Sequence, residues 1–523
     1  MTETVATSDY LVVGGGTAGS LLAARLSEDP AVSVTLVEWG PDDEHEPRAR
    51  DLRRWAEMLE GEYDLDYRSV AQERGNSAIR QARLRILGGC SDGNTMISWR
   101  TLAADLDEWV ERGAAGWDAS TVQPYFDRLR TPIQPVASED RNPMVADMVH
   151  AAVAALDVPL QEAWNDGRLD ERAEGAGFFE VGYTPDTNLR SSTSVHYLHP
   201  ARAERANLDV VLDARVERVE VEDGRATGVL ARVDGELVRY AARREVIVCC
   251  GAIDSPRLLQ LSGIGPRSVL DEAGVDVVVD LPGVGENLMD HAEGLVVWEL
   301  AELPPPTCAS GWDAGALVSL AAPHDRPDVL MHFPVEPWAV HAEAYGAQLP
   351  ERIVSIAPNV ARPASRGRVW ITCADPEAPP AIDYRYFTDP EGRDEAVLVA
   401  GVRLARRIGA AEPFASRLVR EVFPGPDVQT DEEISAVARA THQTVYHVSG
   451  TCKIGADDDP TAVLRPDLTV RGLDGLRVVD ASVFPQLVAT NPVVTVMMVA
   501  ERAADLIEEA AQRVTAPAGR SCS

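Results

Sequence analysis

The run Tyr10-Leu-Val-Val-Gly-Gly-Gly-Thr-Ala-Gly19 sets three glycines, Gly14, Gly16 and Gly19, between an apolar stretch and an alanine- and leucine-rich segment. That order reads as a strand, a tight turn and the first turn of a helix. Gly14 permits the turn, Gly16 lets the backbone approach a phosphate, and Gly19 lets the helix pack close on the strand; the free N–H groups and the helix dipole then meet negative charge. A second apolar run, Val34-Thr-Leu-Val, ends at Glu38. A carboxylate about twenty residues past such glycines accepts hydrogen bonds from an adenosine ribose and disfavours a 2′-phosphate. The chain is therefore expected to open with a βαβ unit that binds a dinucleotide, the alternative being a glycine turn between packed elements. This motif alone does not separate FAD from NAD.

Further along, Leu208 to Val221 reads as a strand, Asp223-Gly224 as a hairpin turn and Ala226 to Val233 as its partner strand. Val246 to Ala252 reads as a buried strand ending at glycine, with a helix from about Ser255. Leu476 to Asp480 is a third such strand, and Asn491 to Ala511 carries apolar residues at helical spacing. The nucleotide-binding part is thus expected to be assembled from separated stretches of chain. A mixed region rich in proline and aromatics, about Glu293 to Thr444, reads as a second domain whose junction with the first forms a cleft.

Composition narrows the function. With 523 residues, 45% hydrophobic and 25% charged, the chain is long enough for two sizeable cores. MTETVATSDY has no basic segment followed by an apolar one, and no apolar run approaches the roughly eighteen residues of a membrane span, so the cytoplasm is the expected location. The formal charge of −34 and pI near 4.6 repel nucleic acid and anionic membranes. That excess either favours cationic small molecules or is a solvated surface. Lys453 is the only lysine, which leaves basic contacts to arginine. Seven cysteines (Cys90, Cys249, Cys250, Cys308, Cys373, Cys452, Cys522) form no CxxC pair and no zinc-spaced cluster, so reduced thiols and no metal are expected.

Several local patterns then agree: ARLRILGGCSDGN (Ala82 to Asn94), GAIDSPRLLQLSGIGP (Gly251 to Pro266), PGVGENLMDH (Pro282 to His291), YHVSGTC (Tyr446 to Cys452) and NPVVTVMM (Asn491 to Met498). In this order they resemble the signatures of the glucose-methanol-choline (GMC) oxidoreductases, most of all the family's choline oxidases. The resemblance implies an α/β fold with a Rossmann-like FAD-binding domain built from separated segments (residues 1–150, 195–292 and 445–512). It also implies a second, α+β substrate-binding domain (151–194 and 293–444), with a disordered tail at 513–523. FAD contacts are implied for Gly14, Gly16, Gly19, Glu38, Gly88, Gly89, Asn94, Val216, Asp480 and Pro492. The implied reaction is hydride transfer from an alcohol to the flavin, and a homodimer is the implied assembly.

By the same resemblance His447 is the catalytic histidine, Asn491 its partner and His332 a second histidine that positions the alcohol. A histidine suits proton removal near neutral pH; His332 reads alternatively as a satisfied histidine at the domain interface. Glu293 matches a glutamate that contacts a trimethylammonium group, the alternative being an ion pair with arginine. Trp55, Trp312 and Tyr446 match aromatic residues that surround such a cation.

Two positions depart from the pattern. Leu65 replaces a further tryptophan of the aromatic cage, which leaves the cage incomplete. Gly93 stands where choline oxidases carry the histidine that links FAD covalently, and no other histidine lies between Ala71 and Leu106; FAD is expected to be noncovalent. Val445 is unchanged beside the implied oxygen approach. The expected function is an alcohol oxidase acting on a primary alcohol that bears an amino or ammonium group, such as a choline-like alcohol or an amino sugar. The alternatives are a dehydrogenase of a neutral alcohol with another electron acceptor, and a hydroxynitrile lyase that uses FAD structurally.

Overall fold

The computed structural model describes residues 4–76, 78–167, 174–321 and 326–515. It opens with strand β1 (Thr4–Val13), helix α1 (Thr17–Leu26) and strand β2 (Val34–Val37). Tyr10 to Val13 pair in parallel with β2 on one side and with the end of the long strand Glu236–Val248 on the other. A strand flanked on both sides and covered on both faces must be apolar throughout, and these four residues are all buried. The sheet runs Leu208–Val211, β2, β1, Glu236–Val248, Arg225–Val233, Arg215–Glu222, and Leu476–Val478 joins it beside Glu236–Val248.

The long strand serves two purposes. Its first part pairs antiparallel with Arg225–Val233, and its last three residues pair in parallel with Leu476–Val478. Asp223 and Gly224 form the expected hairpin turn with φ of 49° and 77°, as a turn with two left-handed central residues requires. The single strand expected over Leu208 to Val221 is two strands. Leu208–Val211 runs parallel to β2 and Arg215–Glu222 antiparallel in the hairpin, with the break at Asp213, φ 52°.

The second sheet is antiparallel, in the order Leu418–Phe423, Val296–Leu300, Ile353–Val360, Val329–His332, Ala314–Val318, Gly175–Phe178. The short strand Ala292–Glu293 joins Ile353–Val360 to Gln443–Thr444. Helix Arg393–Gly409 backs this sheet, and helix Pro143–Leu156 packs on that helix and on Gly175–Phe178. Asn142 caps the latter by accepting from the Met144 N–H, with Pro143 in the first turn. The boundary expected at residue 150 falls inside this helix. The closing helix runs Val493–Thr515 and packs on α1. It extends past residue 513, and 516–523 of the expected tail lie outside the described residues. No helix among the described residues is long and apolar enough to cross a membrane.

Candidate active site

A single cleft of about 2180 Å³, counting its open mouth, runs from the glycine turn to His447 and Glu293. Its lining includes the glycine turn and Glu38 as well as Asn491, His447 and Glu293, so one continuous opening joins the glycine turn to the histidines. At its inner end Gly14 has φ 96°, and a Cβ there would lie 2.7 Å from the Cys249 carbonyl oxygen. A Cβ on Gly19 would lie 1.9 Å from the Gly14 carbonyl oxygen, which is the close helix–strand contact the motif demands. Gly16 differs: a Cβ there would meet nothing nearer than Gly89 Cα at 3.9 Å, and would occupy the cleft instead. Helix α1 starts at Gly16 with no side-chain cap, leaving its first N–H groups for an anionic ligand. This cradle fits a dinucleotide pyrophosphate.

Glu38 lines the cleft and is buried. Its Oε2 accepts from the Gly15 N–H and its Oε1 from the Gly40 N–H, each at 2.6 Å. Burial pushes its carboxyl above the ordinary range despite these two donors. Glu38 therefore also braces the turn, with lone pairs left for a ribose. Gly89, Asn94, Val216, Asp480 and Pro492 line the same cleft, whereas Gly19 and Gly88 do not border it. Gly88 instead donates its N–H to the Gly15 carbonyl at 2.8 Å, with φ 86°, fixing one glycine loop against the other. Asp480 accepts from the N–H groups of Gly251 (2.9 Å) and Ser482 (2.7 Å) and from the Ser255 hydroxyl. Burial raises its carboxyl too.

At the far end, Asn491 Nδ2 lies 3.4 Å from His447 Nε2 and 3.5 Å from His332 Nε2. The indole N–H of Trp99 donates to Asn491 Oδ1 at 3.0 Å, which turns the amide NH₂ toward both imidazoles. Behind His447, His291 Nδ1 stands 2.9 Å from His447 Nδ1, and His291 Nε2 lies 3.0 Å from the Val488 carbonyl oxygen. A carbonyl can only accept, so His291 is protonated on Nε2 and its Nδ1 accepts the proton of His447 Nδ1. His447 Nε2 is left with a lone pair at the cleft. Burial holds His447 well below the ordinary imidazole value, with His291, His332 and Arg83 adding to it. Burial likewise takes His291 down to about 3 and lowers His332. The His447 N–H donates at 2.8 Å to Asp290 Oδ1, whose carboxyl burial pushes up to about 6. A neutral imidazole held in one tautomer can accept a proton from a hydroxyl group.

Glu293 lines the same cleft at 1% exposure. Its Oε1 accepts from His341 Nε2 at 3.0 Å and from Trp338 Nε1 at 3.3 Å, and its Oε2 has no partner among the described residues. The expected alternative of an arginine ion pair is not what holds it. Trp55, Trp312 and Tyr446 all line the cleft. Trp55 and Trp312 meet edge to face at 6.4 Å, and Trp338 meets Trp312 the same way at 5.2 Å. The cage expected to be incomplete at Leu65 thus has a further indole in Trp338, which also lines the cleft.

The sequence reading placed Glu293, His332, His447 and Asn491 together, and the structure brings all four to one cleft. It missed Trp99, His291, Trp338 and His341. His291 closes the quoted PGVGENLMDH segment, so a signal was present; the other three stand outside every motif.

Two GMC oxidoreductase models match the chain, over residues 8–293 and 363–500. The choline oxidase of Arthrobacter globiformis is 43% identical, covering 96% of this chain and 94% of that protein. An oxygen-dependent choline dehydrogenase of Photobacterium profundum is 34% identical over 96% of this chain and 93% of its own length. Among solved structures, pyridoxine 4-oxidase from Mesorbium loti superposes with a TM-score of 0.89 at 29% identity, covering 96% of this chain and 99% of that one. The chain belongs to the GMC oxidoreductase family of FAD flavoproteins and is an oxidoreductase acting on CH–OH groups.

Proposed function

We propose that the protein is an alcohol oxidase whose substrate is a primary alcohol bearing an ammonium or amino group. The observation that carries this reading is Glu293, a buried carboxylate with one oxygen free of partners, beside three indoles in the same cleft as His447. A buried, uncompensated carboxylate is costly unless a cation meets it, and aromatic faces suit an ammonium group.

FAD, when bound, supplies the hydride acceptor. Gly14, Gly16 and the start of α1 would hold its pyrophosphate and Glu38 its ribose, with Gly89, Asn94, Val216, Asp480 and Pro492 along its length. His447 Nε2 takes the hydroxyl proton as hydride leaves the carbon. Asn491 Nδ2 donates to the alcohol oxygen, and His332 orients it from the other side. Glu293 anchors the ammonium group among Trp55, Trp312, Trp338 and Tyr446. With oxygen as the acceptor, the two electrons, the proton carried with the hydride and the proton held by His447 would leave together as hydrogen peroxide, with the aldehyde as product; Val445 lines the cleft there. Noncovalent FAD is supported by Gly93, which borders the cleft without a side chain that could link to the flavin.

The test is anaerobic addition of choline to the purified holoenzyme, following the visible flavin absorbance before and after air is admitted. Bleaching by choline in preference to its tert-butyl analogue, with recovery and peroxide in air, is the expected result. Recovery that needs an added acceptor points to a dehydrogenase, and substrate loss with no bleaching points to a lyase.

A further inference from the structure

We infer that His341 is a positioning residue for cation selectivity: a neutral hydrogen-bond donor that orients Glu293 without cancelling its charge. The inference rests on the reading of Glu293 as the ammonium group's partner. His341 lies on the short helix Val340–Ala344 and is fully buried, as is the carboxylate it meets. Its Nε2–H donates to Glu293 Oε1 at 3.0 Å, and three residues earlier the Trp338 indole N–H donates to the same oxygen at 3.3 Å. The second oxygen, Oε2, is left without a partner.

The chemistry of the donors matters. No arginine or lysine among the described residues pairs with Glu293, although arginine provides nearly every other ion-pair partner among those residues. A guanidinium here would neutralise the site. An imidazole that keeps a single proton, on Nε2, leaves the pair at a net charge of −1. The other ring nitrogen of His341, Nδ1, is buried with no acceptor beside it, so a second proton there would be a buried, unpaired donor. Two neutral N–H groups converging on one oxygen fix the carboxylate rotamer and leave the other oxygen to an incoming cation. Removing one donor to a charged acceptor loosens that orientation and weakens the site.

The test compares dissociation constants and reduction rates for choline and its tert-butyl analogue in four flavin-loaded proteins: wild type, Glu293→Gln, His341→Leu and His341→Gln. Glu293→Gln is expected to abolish the preference for choline. His341→Leu is expected to cut that preference roughly ten- to a hundredfold through choline binding, with the limiting rate for the analogue within about twofold of wild type. His341→Gln, which keeps an N–H donor, is expected to restore most of the preference; a residue that merely fills space would show no such rescue. If His341→Leu and His341→Gln both keep the wild-type preference while Glu293→Gln loses it, the inference falls and the role of Glu293 stands. If wild type shows no preference, or Glu293→Gln retains it, the reading of Glu293 falls first. Should His341→Leu fail to load flavin, the comparison of His341→Gln with wild type decides, since a loss of preference there without a change in the analogue's rate contradicts rescue by the donor.

Discussion

His291 Nδ1 and His447 Nδ1 face each other at 2.9 Å, and one proton lies between them. Because His291 spends its own proton on the Val488 carbonyl, the shared proton belongs to His447, and the nitrogen facing the alcohol is the basic one. Replacing His291 with phenylalanine removes the acceptor and frees His447 to adopt the other tautomer. Stopped-flow reduction of the flavin is expected to slow by about 10²- to 10⁴-fold, with flavin content and choline affinity close to wild type.

Acid sensitivity follows from neighbours shifted in opposite senses. Folded His291 sits at about 3 and His442 at about 4, both below the ordinary 6.5 through burial. Between those values and 6.5 the unfolded chain binds protons that the folded chain refuses, so stability falls as pH drops through that window. Asp290 does the reverse. Its folded value of about 6 lies above 3.8, so it favours the folded chain at low pH and loses that contribution as pH rises through 6. At pH 5 each histidine costs about 2 kcal/mol and Asp290 returns about 1 kcal/mol. A lower Tm at pH 5 than at pH 7 is expected, with a shallower slope in His442→Gln, checked by thermal melts across that range.

Gly93 has φ −140°, so a side chain there is opposed by neighbours and not by backbone strain. A Cβ would meet Leu84 Cδ1 at 2.1 Å and Met58 Cβ at 3.4 Å. Gly93→Ala is expected to cost about 1–3 kcal/mol and to lower the flavin-to-protein ratio. Adding Leu84→Ala should recover most of the loss in both Tm and flavin content.

Trp338 offers an N–H to Glu293 and a ring to the cleft, and substitution separates the two. Trp338→Phe keeps a ring but loses the N–H to Glu293, and Trp338→Leu loses both. A cation over an aromatic face gains about 0.5–2 kcal/mol, so choline should bind several-fold to about thirtyfold more weakly to Trp338→Leu. Trp338→Phe is expected to fall between, and the tert-butyl analogue to change less in both. Anaerobic flavin titrations give these constants directly.

Much of the fold was legible because it rests on local backbone chemistry. Gly19 is demanded by a contact with Gly14 a few residues back, Gly14 by its own φ of 96°, and Asp223-Gly224 by the twist of one hairpin. The split of Leu208 to Val221 was not legible, because an aspartate at 213 tolerates the left-handed region without any sequence flag. At the site, His447 and Asn491 stood in recognisable segments. The groups that orient them do not neighbour them in sequence: His291 is 156 residues from His447 and Trp99 is 392 residues from Asn491. Trp338 just precedes the short helix Val340–Ala344 and His341 lies on it, and the composition there says nothing of a carboxylate 45 and 48 residues upstream. Partnerships of this kind belong to tertiary packing, and no periodicity or motif announces them.

The strand Glu236–Val248 cannot satisfy its final residues until Leu476–Val478 lies beside them, and Asp480, Asn491 and Pro492 border the cofactor cleft from the same late stretch of chain. During synthesis, the first half of the protein therefore leaves the ribosome with an open strand edge and an unfinished socket. Pairing across such a separation is slow and leaves that edge exposed to other chains. Flavin capture belongs to the end of biogenesis, and chains cut short before residue 476 would be aggregation-prone and colourless.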